Sequence, residues 1–243
     1  MRRGPATAVV SLALALTGCG LESGDKGDKP SKERLALIKA AKVTPAAKTA
    51  RVTYRVLSLP QGRVNLKANG LARLDREEGR YDLLIKSFPG LPANTPTDAW
   101  PSDGVTYLRR KGEKRFGVFK GDAAVPTSIG DVLPYLRAIT GKIRPAGKNT
   151  YKATVDLDLV DEGLPEQKQA PYRLQVSRFR TTKVPVTIKL DSEGRLRRIS
   201  YRVERLVKPG PGEDRGIDYV ATLSDFGAKG NTSPPPKKLI DQE

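Results

Sequence analysis

The sequence predicts an α+β protein dominated by one long, twisted antiparallel sheet. Between residues 50 and 225 most of the chain alternates apolar and polar side chains with a period of two, the pattern of strands with one buried face. Short turns carrying Gly or Asp separate these runs and join them as antiparallel neighbours. Only residues 31–43 and 131–140 change to helical spacing. A sheet of this size tends to curl.

The chain opens with Arg2 and Arg3, then an apolar run from Ala8 to Leu16 broken only by Ser11. That run is too short to span a bilayer and has the layout of a secretory leader. Leu16, Thr17, Gly18 and Cys19 follow, and Cys19 is the single cysteine of the 243 residues. A Leu three residues before the cysteine and a small residue directly before it resemble the lipobox of bacterial lipoproteins. The resemblance implies cleavage after residue 18 and acylation of Cys19; two acyl chains anchor stably where one does not. Residues 1–18 are then a signal peptide and 19–32 a lipidated cysteine with a flexible tether, because Gly20 to Lys32 is too polar to bury a core. A single domain is expected over 33–230.

A helix is predicted from Ser31 to about Val43, with Ser31 as N-cap, Leu35, Ile38 and Lys42 on one side, and Pro45 as its stop. Val52, Tyr54 and Val56 then face one way against Arg51, Thr53 and Arg55. Arg63 to Asp75 continues the alternation with Val64, Leu66, Ala68 and Leu74, after a turn at Gln61-Gly62. Tyr81, Leu83 and Ile85 form the same face of a third run. Together these three runs read as a meander with an apolar and a charged face. Phe88 to Asp103, with its prolines and Trp100, is expected as a loop or lid.

A hairpin over 105–120 turns at Lys111-Gly112. Asp131 to Thr140 is predicted as a helix capped by Asp131, with Val132, Leu133, Leu136 and Ile139 on one side and Gly141 as its stop. Strands are expected at Thr150 to Leu159, Val184 to Asp191, Arg195 to Val207 and Ile217 to Asp225. Leu164 to Tyr172 reads as irregular and Tyr172 to Phe179 as a strand or edge. Residues 231–243, with three successive prolines, read as a tail lying across the surface.

Composition excludes several chemistries. With no histidine there is no Ser-His-Asp or Cys-His catalysis and no imidazole ligand. With Cys19 acylated, no thiolate remains for metal or redox work. Asp156 and Asp158, then Asp161 and Glu162, are the carboxylates worth weighing, but the first two fall on the polar side of a strand pattern. Gly210-Pro211-Gly212 reads as a turn, not a phosphate loop. No catalytic residue, metal site or cofactor is therefore expected. The net charge of +17 falls to +15 when Arg2 and Arg3 leave with the leader. Export makes nucleic acid an unsuitable partner for this charge. Anionic headgroups or acidic envelope polymers fit it, and so does a merely solvated outer face.

Val184 to Asp191, then Gly194-Arg195-Leu196-Arg197-Arg198-Ile199, then Leu223 to Gly227 before a proline-rich end resemble the LolA/LppX-like (LprG-type) lipoproteins of actinobacteria. Gly147 to Tyr151 resembles their entry to the preceding strand. The resemblance spans most of the mature chain, and its motifs are structural. It implies a curved antiparallel half-barrel, helices closing its concave face, a hydrophobic cavity between them, and an acylated lipid or glycolipid as ligand at the outer face of the cell membrane. The apolar residues Val52, Tyr54, Val56, Val64, Leu66, Leu74, Leu83, Ile85, Leu133 and Leu136 are the expected lining. From pattern alone a closed aliphatic core serves equally. A scaffold or regulator that binds a protein or anionic polymer through the basic face is the alternative function.

Overall fold

In the computed structural model, residues 30–241 are described except 60–61, 63, 77, 86–93, 103, 121–131, 165 and 207–214. Cys19, the leader, most of the tether, Asp131 and Gly210-Pro211-Gly212 lie outside the described residues.

Eleven strands form one curved, unclosed antiparallel sheet in the order β6-β5-β4-β3-β2-β1-β11-β10-β9-β8-β7. β1 (Thr49–Leu59), β2 (Val64–Arg73), β3 (Gly79–Ile85), β4 (Thr95–Ser102), β5 (Val105–Arg110) and β6 (Gly117–Lys120) make the first meander. β7 (Ile139–Pro145), β8 (Thr150–Asp156), β9 (Lys183–Leu190), β10 (Leu196–Glu204) and β11 (Gly216–Ser224) make the second. The meanders join at their oldest and newest strands: β1 pairs with β11 from Arg51 opposite Ser224 to Leu59 opposite Gly216.

Helix α1 (Lys32–Ala46) starts as expected, with the Ser31 hydroxyl accepting from Arg34 N at 3.2 Å. Its buried side is not the expected one. Leu37, Ala40, Ala41 and Thr44 face inward, while Leu35 is 52% exposed. The small Ala40 and Ala41 allow close approach, and the buried Thr44 hydroxyl donates to Ala40 O (2.6 Å) and accepts from Leu196 N (2.9 Å). Polar pairing at Thr44 outweighs the larger apolar stripe.

Four other expectations are corrected. Much of the expected loop at Phe88 to Asp103 is strand β4; Pro96 and Pro101 each sit one residue from its ends, where a missing N–H interrupts the ladder least. Trp100 points to the convex side, edge-on to Phe116 at 4.9 Å, with Arg80 over it at 4.7 Å. The helix expected over Asp131–Thr140 shrinks to α2 (Leu133–Arg137), and Ile139 already begins β7. Gly141, at φ +64°, lies in the register shift between Thr140 and Arg144 instead of at a helix end. Lys142, Arg144 and Pro145 blunt that edge strand. The stretch read as irregular and then as a strand is α3 (Glu166–Val176), which contains Pro171. Burial of Leu164, Val176 and the ring of Tyr172 against the core overrides the proline signal. Beyond Asp156 the expected strand becomes a 3-10 turn over Leu157–Leu159, with the Asp156 carboxylate capping Asp158 N.

The tail is pinned at Phe116, just ahead of β6. Phe116 N donates to Leu239 O (2.7 Å) and Asp241 N to Phe116 O (2.9 Å).

Candidate functional site

Residues directly opposite in an antiparallel pair share a face. Three transverse rows therefore cross the concave side of the sheet. One runs Leu223, Val52, Gly70, Tyr81, Ala99, Leu108. The next runs Ile188, Ile199, Ala221, Tyr54, Ala68, Leu83. The third runs Ala153, Val186, Tyr201, Tyr219, Val56, Leu66 and, by register, Ile85. Small residues make room for large ones. Ala68 and Ala221 flank Tyr54, and a Cβ on Gly70 would lie 2.5 Å from the Tyr81 ring.

Most of the expected lining residues meet here. Val52, Tyr54, Leu66, Leu74, Leu83, Leu133 and Leu136 are buried in one cluster, and Val56 packs against it. The Ile85 side chain lies outside the described set. Val64 departs from the expectation. It opens β2, opposite Leu57 and past a register shift after Val56, and is 37% exposed. The shift breaks the alternation that would have turned it inward.

Periodicity alone left a belt of phenols unremarked. The rings run from Tyr81 to Tyr54 (6.1 Å between centroids), to Tyr219 (6.4 Å), to Tyr201 (4.8 Å, stacked) and to Tyr135 of α2 (5.5 Å, stacked). The Tyr135 and Tyr201 hydroxyls lie 3.2 Å apart. Burial pushes both phenols well above their ordinary range. Tyr172 of α3 is raised by the same cause, and its buried hydroxyl makes no hydrogen bond of ordinary geometry. The sequence signal was Tyr201 and Tyr219 sitting in register with aliphatic inward positions.

The concave side is thus apolar from edge to edge, with neutral phenols near α2 and α3. Its chemistry is burial of apolar surface plus a few hydrogen-bonding groups, the usual make-up of a small-molecule site. Of the carboxylates weighed from sequence, Asp156 caps a turn and buried Asp161 is ion-paired to Arg173. Among the described residues no group of three or more His, Cys, Asp or Glu is placed to hold a metal ion. No helix among them is long and apolar enough to cross a membrane.

The convex side is charged. Its register sets like charges opposite one another at Arg55 and Lys67, at Arg198 and Lys189, and at Arg144 and Lys152.

No protein-family model matches the sequence, and none of the curated proteins does. Solved structures do. LprF from Mycobacterium bovis is similar over 86% of this chain and 99% of its own, at 16% identity and a TM-score of 0.50. The lipoprotein LppX of Mycobacterium tuberculosis aligns over 83% and 98% at 10% identity, TM-score 0.47. A LolA superfamily protein of Nitrosomonas europaea aligns over 88% and 99% at 11% identity, TM-score 0.34. The chain has the fold of LprF, the LolA/LppX-like fold that its sequence motifs resemble.

Proposed function

We propose that this chain is a membrane-anchored lipoprotein, held through acylated Cys19, that binds or transfers an acylated lipid or glycolipid in the cell envelope and catalyses no reaction. One observation carries the reading: the concave face is apolar across the sheet, yet among the described residues only α1, the shorter α2 and α3, and the 3-10 turns over Leu157–Leu159 and Asp161–Gly163 lie over it. An aliphatic lining satisfies an acyl chain, which needs apolar volume more than directed hydrogen bonds. The ligand lies against Val52, Tyr54, Val56, Leu66, Leu74, Leu83, Leu133 and Leu136, with Ile85 in the same row. The LprF-like fold and the lipobox are consistent with this arrangement.

These side chains pack on one another in the structure, so uptake requires the cover to move. α2 has five residues and no side-chain cap, and α3 contains Pro171, which cannot donate a helical hydrogen bond. Both yield more readily than a hydrogen-bonded sheet. Native mass spectrometry of the gently purified chain should detect co-purifying acylated lipid. A lipid-free protein that, once delipidated, also takes up no fluorescent acyl probe would overturn the reading.

The like-charge pairs on the convex face favour a second reading, a scaffold or regulator that holds a protein or an anionic polymer there. Directly opposed like charges destabilise a sheet, and an anionic partner would offset that cost.

A further inference from the structure

The five large apolar side chains that stand exposed among the described residues are Leu35, Val64, Leu159, Leu174 and Leu206. Single exposed leucines are ordinary, but a group of them is not. All five lie at the same end of the sheet. Val64 opens β2 where β1 closes at Leu59. Leu159 ends the 3-10 turn that follows β8, and Leu174 is on α3, in the connection from β8 to β9. Leu206 lies just beyond β10, and its N–H donates to Arg178 O at 2.8 Å, one turn past Leu174. Leu35 is in the first turn of α1, which Arg34 ties to the start of β7 through Ile139 O (3.4 Å) and Gly141 O (2.9 Å).

Two further observations point to what covers this end. The chain leading back to Cys19 leaves from α1's first turn, so the tether departs from the same end. Arg178, Arg205 and Arg215 stand beside Leu206, and Arg205 N donates to Arg215 O; among the described residues none of the three forms an ion pair. Asp158 adjoins Leu159 in the chain and Glu162 follows three residues on, whereas the unpaired arginines stand on the Leu206 side. Apolar side chains set among arginines suit the boundary between headgroups and acyl chains of an anionic bilayer.

We propose that this end of the sheet, led by Leu174 and Leu206 with Arg178, Arg205 and Arg215, is a docking tip that inserts shallowly into the anionic bilayer to which the chain is tethered. It rests on the anchored-carrier reading for its membrane. The concave face would then meet the bilayer at the end where α2 and α3 cover it.

The test uses the full acylated chain, as processed in cells, reconstituted into phosphatidylglycerol vesicles with and without brominated acyl chains. Leu174→Trp and Leu206→Trp each place an indole at the tip. Wild-type Trp100, towards the opposite end of the sheet, supplies the background, and Lys67→Trp reports the convex face. Both positions are exposed, and unchanged melting verifies the fold. Tip emission should shift to the blue and be lost to brominated lipid, while Trp100 and Lys67→Trp stay bright. Unquenched tip indoles, or equal quenching at Lys67→Trp, overturn the proposal. So does a tip silent on vesicles whose emission responds to a soluble anionic polymer or a protein. Acyl-probe uptake measured on the same samples separates the two readings. Uptake with unquenched tip indoles sinks the docking tip alone, and quenching without uptake sinks the carrier alone.

Discussion

Leu66→Trp separates a carrier from a closed core. Leu66 is 5% exposed on the concave face, opposite Val56 and Ile85 and diagonal to Tyr54 and Leu83. Its neighbours Tyr54 and Ala68 are at 0% and 1%, so the packed state has no spare room for an indole. If that state is the whole story, overpacking costs roughly 1–3 kcal/mol, which for a chain of this size lowers Tm by about 2–12 °C. If the face opens to admit an acyl chain, the indole occupies the space the chain would take. The delipidated variant should then melt within about 2 °C of wild type while its binding of a fluorescent acyl probe falls. Both quantities are read on the same delipidated protein. A Tm loss in the upper part of that range, from a wild type that takes up no probe, refutes the carrier reasoning and leaves the scaffold reading in front.

Cys19→Ala should release the protein from the membrane fraction; persistence there after a high-salt wash would refute acylation as the anchor. Thr44→Val leaves buried Leu196 N without its acceptor, so the urea midpoint should drop by the equivalent of ~1–3 kcal/mol. An unchanged midpoint would mean that the α1–β10 contact contributes nothing net. Alkali should unfold the chain cooperatively. Tyr135, Tyr172 and Tyr201 titrate above the ordinary 10.0 when folded. Above that value the unfolded chain therefore loses protons that the folded one keeps, and stability falls by up to ~1.4 kcal/mol per pH unit for each phenol. Urea unfolding at about pH 9 and about pH 11 measures this; equal midpoints, or a slope that Tyr201→Phe leaves unchanged, would contradict buried neutral phenols.

Legibility from sequence followed the range of the forces involved. β1, β2 and β3 were readable because alternation across Val52, Tyr54, Leu66 and Leu83 reports burial on one side of a strand, a local property. β9 to β11 were readable for the same reason. α1's start at Ser31 was readable because capping is settled within four residues. What failed depended on distant partners. β4 was obscured by Pro96 and Pro101, yet it forms because β3 and β5 flank it. α3 was obscured by Pro171, yet it forms because Val176 and Tyr172 find the core.

By itself, the sequence determined an α+β chain with a one-faced antiparallel sheet, a single cysteine in a stretch that resembles a lipobox, and no histidine chemistry. These follow from composition and short-range period, which need no knowledge of what lies across the fold. Only the tertiary structure decided that β1 joins β11, uniting two meanders into one sheet. It brought five phenols from five separate segments into a belt, with a sixth on α3, turned Val64 outward through a one-residue shift, and gathered Leu35, Leu174 and Leu206 at one end. Each of those outcomes is a contact between residues far apart in sequence. Such contacts are set by packing and register, not by any local pattern.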